Sequence, residues 1–371
     1  MSKFKQFFYP VTTLMGTIIG AGLFSLPYIA SRVGTSLMLV YFLIIGALAL
    51  VVHLLFAYVV IRTPDQKRFT GFARTYLGPW GEKTAAISLI LGVYGSLLVY
   101  VILGGEFLKN MLEPIIGGSA FFYTLVFFLI GALFIYRGLK AIGRFEFWAV
   151  IVFSAILLFI LIRSLFSVKL VNLSVPANFK LFFLPYGPLL FSLWGTSIIP
   201  ELEAMLVDQK QLLKKVVVLG VILSLIISIL FTFFVLGVSG SSTSESAFLG
   251  LGQALGQNIL YLSAIFGFLV IITSFIASGL VLRSIFEYDL KLKKGLAWAL
   301  TCFVPLLLFI LGFQSFIRVV SFVGGIFLGI DGILILLMYQ SIKTAKYRLL
   351  TYPLMLIFIL GIIYEIIYFI K

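Results

Sequence analysis

The sequence has little of what a water-soluble surface requires and little of what metal or redox chemistry requires. Only 11% of its 371 residues are charged, whereas soluble globular domains carry roughly 25%. It contains one cysteine, Cys302, and one histidine, His53, which excludes a disulfide framework and a cysteine-based metal site. With a single histidine there is no convincing pair of base and nucleophile, so we expect neither an enzyme nor a bound cofactor.

Apolar residues are abundant instead. They make up 62% of the chain, and the mean hydropathy is +1.21. Runs of about 20 residues, long enough to cross the bilayer core, recur along the whole sequence. They are continuous rather than alternating, which predicts helices and not a barrel. The sequence therefore predicts an all-α integral membrane protein with eleven spans, at 8–31, 34–61, 84–111, 119–136, 145–167, 184–207, 212–238, 257–287, 295–312, 316–340 and 348–370.

The basic residues indicate an orientation. With the N-terminus in the cytoplasm, 20 of the 27 Lys and Arg residues fall on the cytoplasmic side of the predicted spans, as the positive-inside rule requires. This clustering explains the formal net charge of +14 without nucleic acid as a partner. We therefore expect one multi-pass domain, 1–371, in the cell membrane, with its C-terminus outside. We expect the lipid bilayer and an amino acid as partners, and no obligate protein partner.

Two of the predicted spans contain residues that interrupt a helix. The first includes three glycines and a proline in the string GTIIGAGLFSLPY, from Gly16 to Tyr28, and the sixth reads FSLWGTSIIPELE, from Phe191 to Glu203. Glycine raises the backbone entropy cost of a helix, and proline lacks an amide donor. The breaks lie five spans apart. They predict two repeats in opposite orientation, about 8–167 and about 184–340, followed by an extra helix at 348–370.

Interrupted helices create a binding chemistry. Unwinding leaves amides and carbonyls without helical partners, and the positive end of a helix favours an anion. The amides near Ala21, Gly22 and Leu23 are predicted to bind a carboxylate. The carbonyls predicted to accept an ammonium group or a cation are those near Gly16, Ile19, Leu193 and Trp194. A zwitterionic amino acid needs both kinds of group a few ångströms apart.

The string from Gly16 to Tyr28 resembles the first-helix signature of the amino acid–polyamine–organocation superfamily. The similarity is greatest to the hydroxy and aromatic amino acid permeases and the related neutral amino acid transporters, the amino acid/auxin permease-like branch. The stretches YVILGG, from Tyr100, and SFIASGL, from Ser274 and running on to Phe286–Leu290, resemble further motifs of these permeases. This resemblance implies the LeuT-type fold, with a 5+5 inverted repeat and discontinuous helices 1 and 6. It also implies an amino acid substrate and ion coupling.

The resemblance also suggests where substrate and ion bind. The predicted substrate-binding residues surround the two breaks and add one aromatic from the third span: Thr17, Gly20, Ala21, Gly22, Leu23, Tyr100, Phe191, Leu193, Trp194 and Gly195. In related sodium-coupled transporters the sodium ligands would match Gly16, Ile19, Val270, Thr273 and Ser274. The alternative is that the two hydroxyls bond back to their own helix. The lysine that replaces sodium in some proton-coupled relatives is absent from the interior of the fifth span, whose ends carry Arg144 and Lys169. Sodium and proton coupling both stay open.

Ionisable side chains at membrane depth are functional candidates because they are costly in lipid. Four carboxyl groups are candidates for coupling or gating, with structural ion pairs as the alternative: Glu106, Glu201, Glu203 and Asp331. His53 fits a hydrogen-bonded packing residue better than a ligand. The segment 239–256 is either a surface connector or a lid over an outer vestibule.

The best interpretation is a secondary active transporter that carries neutral, and in particular aromatic, amino acids by cation-coupled symport and alternating access. A rival from another class is a membrane amino acid sensor of the same fold, similar to spore-germination receptor subunits, which binds its ligand without accumulating it. Uptake measurements distinguish the two.

Overall fold

The computed structural model describes residues 3–65, 67–138, 152, 155–160, 162–163, 165–206, 209–343 and 345–370. These residues form α-helices, short 3₁₀ turns and two π-helical segments. The α-helices are α1 Lys3–Ile18, α2 Gly22–Val33, α3 Thr35–Arg62, α4 Phe69–Ile116, α5 Ala120–Arg137, α6 Tyr186–Ser192, α7 Ile199–Met205, α8 Leu213–Ser239, α9 Phe248–Leu255, α10 Gln257–Ser284, α11 Lys294–Ile310, α12 Phe316–Phe322, α13 Leu328–Ser341 and α14 Arg348–Ile370.

The helices coincide with ten of the eleven predicted spans. Within the described ranges, seven single helices are able to cross a membrane by length and composition, and the bent pair α1–α2 makes an eighth. The shorter α11 covers the predicted span 295–312, and the broken pair α6–α7 covers 184–207. Most of the predicted span 145–167, together with Arg144, lies outside the described residues.

Three spans differ in detail from their predicted form. Helix α4 has 48 residues and begins well before the predicted 84–111, with a kink where Gly78 adopts φ 74°. The tenth span, Phe316–Ser341, contains a π-helical segment at Val323–Phe327, which joins α12 to α13. Span eight ends in a second π-helical segment, Ile285–Asp289. Local widening of a helix by a π-bulge gives no sequence periodicity of its own, so hydropathy could not reveal it.

The spans alternate in direction and so define two faces of the molecule. We use "N-terminal face" for the side where α1 begins and α3 ends, and "opposite face" for the side that carries the α2–α3 turn and the segment 239–256. At the opposite face, residues 168–183 are bonded to neighbouring turns. The amide of Asn178 donates to the Val33 carbonyl (2.9 Å), and the amide of Lys169 donates to the Gly237 carbonyl (2.9 Å). This connection is therefore an ordered part of the fold.

A cluster of five buried phenylalanines packs beneath the opposite face. Phe24 of α2 lies at the centre, with ring centroids of its neighbours 5.2–6.3 Å away in edge-on geometry. The cluster contains Phe24, Phe107, Phe231, Phe248 and Phe266, each 1% exposed or less. Each edge-to-face pair contributes about 0.5–1.5 kcal/mol beyond burial. Phe248 belongs to α9, so segment 239–256 packs into the protein instead of lying on its surface. We name these five residues the aromatic cluster.

Candidate substrate site

The first break lies between α1 and α2, which meet at an angle of 56°. Residues 19–21 are not helical. The carbonyls of Gly20 and Ala21 accept from Leu23 and Phe24 (3.1 and 3.2 Å). The amides of Gly20, Ala21 and Gly22 donate to no backbone carbonyl in the described part of the chain. The Leu23 amide, which the sequence predicts to bind a carboxylate with those near Ala21 and Gly22, instead donates to the Gly20 carbonyl and is not free. The amides of residues 20–22 together form a group of free N–H donors at the positive end of a twelve-residue helix.

The second break lies between α6 and the 3₁₀ turn Thr196–Ile198, which leads into α7. Helix α6 ends at Ser192, and its last backbone hydrogen bond runs from the Leu193 amide to the Leu189 carbonyl (3.0 Å). Gly195 then adopts φ −146° and ψ 22°, away from helical values. Among the described residues, no backbone amide donates to the carbonyls of Leu193 and Trp194. These two oxygens are therefore free to accept from a ligand.

The two breaks contact each other at two points. A Cβ atom placed on Gly22 would lie 2.6 Å from the Ser192 Cα atom and 2.9 Å from Phe191 Cδ1, closer than real contacts allow, so only glycine lets α2 approach α6 this closely. On the far side of the break, a Cβ atom on Gly195 would lie 2.7 Å from Ile18 Cγ1 at the end of α1. Free amides from one break and free carbonyls from the other are therefore neighbours.

His53 of α3 holds the second break in place by a hydrogen bond. Its Nδ1 donates to the Ala49 carbonyl (2.7 Å), which leaves Nε2 as the acceptor of the Gly195 amide (2.9 Å). The imidazole is fully buried, and its ring meets Trp194 edge-on at 5.7 Å. This histidine is neutral and carries its proton on Nδ1, because that tautomer alone satisfies both bonds. The sequence places it among packing residues, and its contact with a break 142 positions away has no local signal.

Space lies beside the first break. A Cβ atom on Gly16 or on Gly20 would meet no atom within 4 Å. Thr17 is exposed, and its hydroxyl donates to the Thr13 carbonyl (3.0 Å), while Ala21 and Leu23 are buried. The predicted substrate residues therefore divide into an open group, Gly20 and Thr17, and a packed group that includes Ala21 and Leu23.

Comparison with known proteins identifies the family to which this arrangement belongs. Residues 3–369 match the model of the tryptophan/tyrosine permease family. The chain belongs to this family. It is 27% identical over 332 residues to tyrosine-specific transport system 1 of Haemophilus influenzae, covering 84% of this chain and 82% of that protein. Among solved structures it is similar to MhsT in complex with L-phenylalanine, with a TM-score of 0.69, 15% identity, and coverage of 98% and 99% of the two chains.

These similarities confirm several expectations from the sequence. The permease is a multi-pass membrane protein with the LeuT-type fold, in which helices 1 and 6 are discontinuous. It functions in amino acid transport, and its family is one of permeases and not of enzymes, as expected. Within the superfamily expected from the sequence, the chain belongs to the tryptophan/tyrosine permeases.

Three aromatic side chains of the permease were predicted to form walls of the site. Tyr100 of α4 is buried. Trp194 lies between His53 and Phe358, with ring centroids 5.7 and 6.2 Å away. Phe191 is half-buried and adjoins the Gly22 contact. Phe191 and Trp194 thus lie directly at the break, on either side of the free Leu193 carbonyl.

The predicted sodium ligands lie on two elements of the permease. Gly16 and Ile19 lie at the end of α1, where the last carbonyls of a helix have no intrahelical partner. Val270, Thr273 and Ser274 lie on α10. The Thr273 hydroxyl donates to the carbonyls of Leu269 (2.9 Å) and Val270 (3.0 Å), which is the back-bonded state considered as the alternative. Its oxygen and the second lone pair of the Val270 carbonyl stay available, so the five-residue sodium site stays a prediction.

The four candidate carboxyl groups have different surroundings. Glu106 accepts from the Ser246 hydroxyl (2.5 Å), which joins α4 to the segment that carries α9. Glu203 forms an ion pair with Lys210 at the N-terminal face. Asp331 is buried in α13, and its Oδ1 has no hydrogen-bond partner among the described residues. Glu201 is exposed.

The two faces of the permease differ in access to the breaks. On the N-terminal side, Gly16, Thr17, Ser197 and Glu201 are all exposed. On the other side, the aromatic cluster and α9 lie above the start of α2. We name Gly16, Thr17, Ser197 and Glu201 the exposed row. Its carboxyl group, Glu201, indicates that this side faces water, because an exposed carboxyl group is costly in lipid.

Proposed function

We propose that this permease is a cation-coupled symporter of aromatic amino acids, with tyrosine as its first candidate substrate. The observation that carries the proposal is the contact between the two breaks, which brings unpaired amides next to unpaired carbonyls. The names of its relatives support an aromatic side chain, since one is a tyrosine-specific transport system and the other a complex with L-phenylalanine.

In this proposal the substrate backbone bridges the breaks. Its carboxylate accepts from the amides of residues 20–22 at the positive end of α2. Its ammonium group donates to the carbonyls of Leu193 and Trp194, with Gly16 and Ile19 near by. Phe191, Trp194 and Tyr100 form the walls around the aromatic ring. Gly20 provides the space in which the substrate Cα fits.

Alternating access follows from the asymmetry of the two faces. We assign the described conformation to the state that is open toward the N-terminal face and closed by the aromatic cluster on the other. In the opposite state, Phe24 of α2 moves away from the other four rings of the aromatic cluster, while α1 and α7 cover the exposed row. The repeats about 8–167 and 184–340 provide the two moving halves. The membrane is the cell membrane, and the positive-inside bias puts the N-terminal face in the cytoplasm and the C-terminus outside.

The coupling ion is sodium or a proton. A sodium ion would be held by the five residues predicted above, between the end of α1 and the middle of α10. A proton would be carried by carboxyl groups, for which Glu106, Glu201, Glu203 and Asp331 are the candidates from the sequence. Of these four, Glu203 and Glu106 already have partners in the structure, which leaves Asp331 and Glu201 as the remaining candidates from the sequence.

Uptake into proteoliposomes tests the proposal. The purified permease is reconstituted, and labelled tyrosine, phenylalanine, tryptophan, leucine and lysine are offered under an inward sodium gradient or an inward proton gradient. We expect uphill accumulation of the aromatic amino acids under one of the gradients, which identifies the ion. Binding of tyrosine without uptake under either gradient would contradict the proposal and favour a sensor.

A further inference from the structure

One carboxyl group of the chain lies in the interior with no charged partner among the described residues. Glu365 of α14 is 1% exposed, and neither of its carboxyl oxygens has a hydrogen bond of normal geometry with the described residues; the polar group that approaches it is the Gly187 backbone. Among the described residues, the other carboxyl groups at membrane depth are partnered, exposed or, in Asp331, unpartnered at Oδ1 alone. An isolated carboxylate away from water is so costly that a protein neutralises it instead. The group is therefore in its protonated form in this conformation.

The surroundings of Glu365 are polar but uncharged. Its Oε1 lies 2.7 Å from the position that a Cβ atom of Gly187 would occupy, and its Cδ lies 3.0 Å from the corresponding position of Gly325. Two further buried groups have no hydrogen-bond partner in the described part of the chain, Tyr186 Oη and Ser321 Oγ. Tyr186 precedes Gly187 in α6, and the Ser321 backbone abuts Gly187. We name Tyr186, Gly187, Ser321, Gly325 and Glu365 the Glu365 pocket.

The titratable groups around the pocket come from each element that packs on α14. Helix α6 contributes Tyr186, and α14 itself contributes Tyr364 and Tyr368. Helix α12 contributes Arg318, which is exposed, and α13 contributes Asp331 and Tyr339, further along the span. The π-helical segment Val323–Phe327 has no titratable residue. No basic side chain of the described residues forms an ion pair with Glu365, so none holds it in the charged form.

The pocket connects mechanically to the substrate site. Gly187 opens α6, the helix that ends at the second break, and its backbone also abuts the Ser321 backbone and Gly324 of the tenth span. At the other end of α6, Ser192 and Phe191 abut Gly22 at the start of α2. Any movement of α6 relative to α14 therefore changes both the surroundings of the Glu365 carboxyl group and the contact between the two breaks.

We propose that the Glu365 pocket is a proton-binding site that loads and unloads once per transport cycle. With α6 seated, the carboxyl group keeps its proton. When α6 moves away and water enters, the O–H bond breaks, the proton passes to water and the carboxylate is left hydrated. The reverse movement takes a proton up from water. The π-helical segment beside the pocket provides a weak point in the tenth span, where such a movement is easiest.

This inference rests on the proposed transport function, and the test separates the two. Wild-type protein, Glu365→Gln, Glu365→Asp and the control Glu113→Gln are reconstituted with a pH-sensitive dye inside the vesicles. Glu113→Gln makes the same chemical change at an exposed carboxyl group. This group pairs with Lys109 (3.5 Å) and lies away from the pocket. Tyrosine binding, exchange of labelled for unlabelled tyrosine, uphill uptake and the internal pH are measured.

We expect Glu365→Gln to bind and exchange tyrosine, since glutamine resembles the neutral acid. It should lose the pH change that accompanies tyrosine entry in the wild type. Glu365→Asp should keep a pH change, and Glu113→Gln should behave as the wild type. A wild-type pH change in Glu365→Gln, or uptake in the wild type with no pH change at all, would overturn the proton site and leave the transport function standing. No uptake in the wild type would overturn the transport function.

An infrared measurement decides the inference even if a variant fails to fold or the wild type does not transport. The purified wild-type protein should show the band of a protonated carboxyl group that changes when tyrosine is added. Glu365→Asp should shift this band. Absence of any such band in the wild type, or an unchanged band in Glu365→Asp, would exclude a protonated Glu365.

Discussion

The two helix breaks have the same chemistry but are held in different ways. At the first break, Gly16 and Gly20 border open space, and residues 19–21 have no side-chain anchor to another span among the described residues. At the second break, the Gly195 amide is bound by His53, and Trp194 is enclosed between two rings. The first break is thus free to adapt, and the second is fixed to α3.

This difference indicates a division of labour. A site that binds by backbone groups must keep those groups unpaired, which is costly in a membrane. Anchoring one break limits the number of conformations in which the unpaired groups exist, and the free break provides the movement. Substitutions at the first break should therefore affect binding directly, whereas substitutions at the second should act through the position of its carbonyls.

The largest effect is expected where the two breaks touch. In Gly22→Val, the new side chain would meet the Ser192 backbone at less than a normal contact distance, and backbone atoms cannot rotate away. Overpacking typically costs about 1–3 kcal/mol, and here it also separates the amides from the carbonyls. We expect loss of tyrosine binding together with a lower melting temperature in detergent. A variant with wild-type stability and affinity would show that the breaks are not in contact.

Gly20→Leu should separate binding from stability. Because a Cβ atom at this position meets nothing within 4 Å, the variant should fold with nearly the wild-type melting temperature. The leucine side chain would nevertheless occupy the space proposed for the substrate backbone, so tyrosine binding should be abolished. Calorimetric titration of the purified variant checks this, with Gly295→Leu, where a Cβ atom also meets open space, as the control. Retained affinity in Gly20→Leu would place the substrate elsewhere.

His53 should have a smaller, selective effect. His53→Leu leaves the buried Gly195 amide without an acceptor, a loss that costs about 1–3 kcal/mol, so tyrosine affinity should fall about tenfold. His53→Gln keeps an acceptor in reach and should recover most of that affinity, although its size differs from that of histidine. A histidine that only fills space would give the opposite order, with the leucine variant the better of the two. The ratio of KM to maximal rate, compared between the wild type and the two His53 variants in uptake assays, provides a second readout.

The smallest effect is expected at the predicted sodium site. If sodium drives uptake, Thr273→Ala should raise the sodium concentration needed for half-maximal uptake and leave tyrosine binding at saturating sodium intact. Ser284→Ala, a hydroxyl deletion on the same helix outside the predicted site, is the matched control. Equal sodium dependence in the two variants would show that the Thr273 hydroxyl only bonds back to its own helix, as it does in this conformation.

The sequence predicts most of the fold because hydropathy measures the property that membranes select. Both breaks were predicted from glycine and proline in the middle of apolar runs, and both lie inside the strings named from the sequence, 16–28 and 191–203. The beginning of α4 at Phe69 was missed because the segment before Gly78 is not apolar enough to resemble a span. The sequence does not decide whether segment 239–256 is a surface connector or a lid. The structure shows Phe248 of this segment packed into the aromatic cluster.

Only the part of the site that depends on residues close together in the sequence was predictable. Free amides and carbonyls follow from a break in a helix, so Ala21, Gly22, Leu193 and Trp194 could be named in advance. Leu23 was named with them, but its amide donates to the Gly20 carbonyl. Partners from distant spans could not be named, because one sequence contains no signal for which helix faces meet. His53 is a buried, hydrogen-bonded residue as the sequence suggests, but its partner Gly195 has no local signal. Glu365 lies in the last span, outside both predicted repeats, and no sequence motif indicates it. Their roles depend on contacts with Gly195 and Gly187 that only the folded chain creates.

The central claim is that a zwitterion bridges the two breaks, and a comparison of three ligands tests it most directly. Affinities of the purified wild-type protein are measured for tyrosine, for tyramine, which lacks the carboxylate, and for 3-(4-hydroxyphenyl)propionate, which lacks the ammonium group. The account predicts that tyrosine binds and that each analogue loses at least about tenfold in affinity, or about 1.4 kcal/mol, because one break is left without its partner. Equal affinity for tyrosine and tyramine would contradict it, since the free amides of residues 20–22 would then have no part in binding.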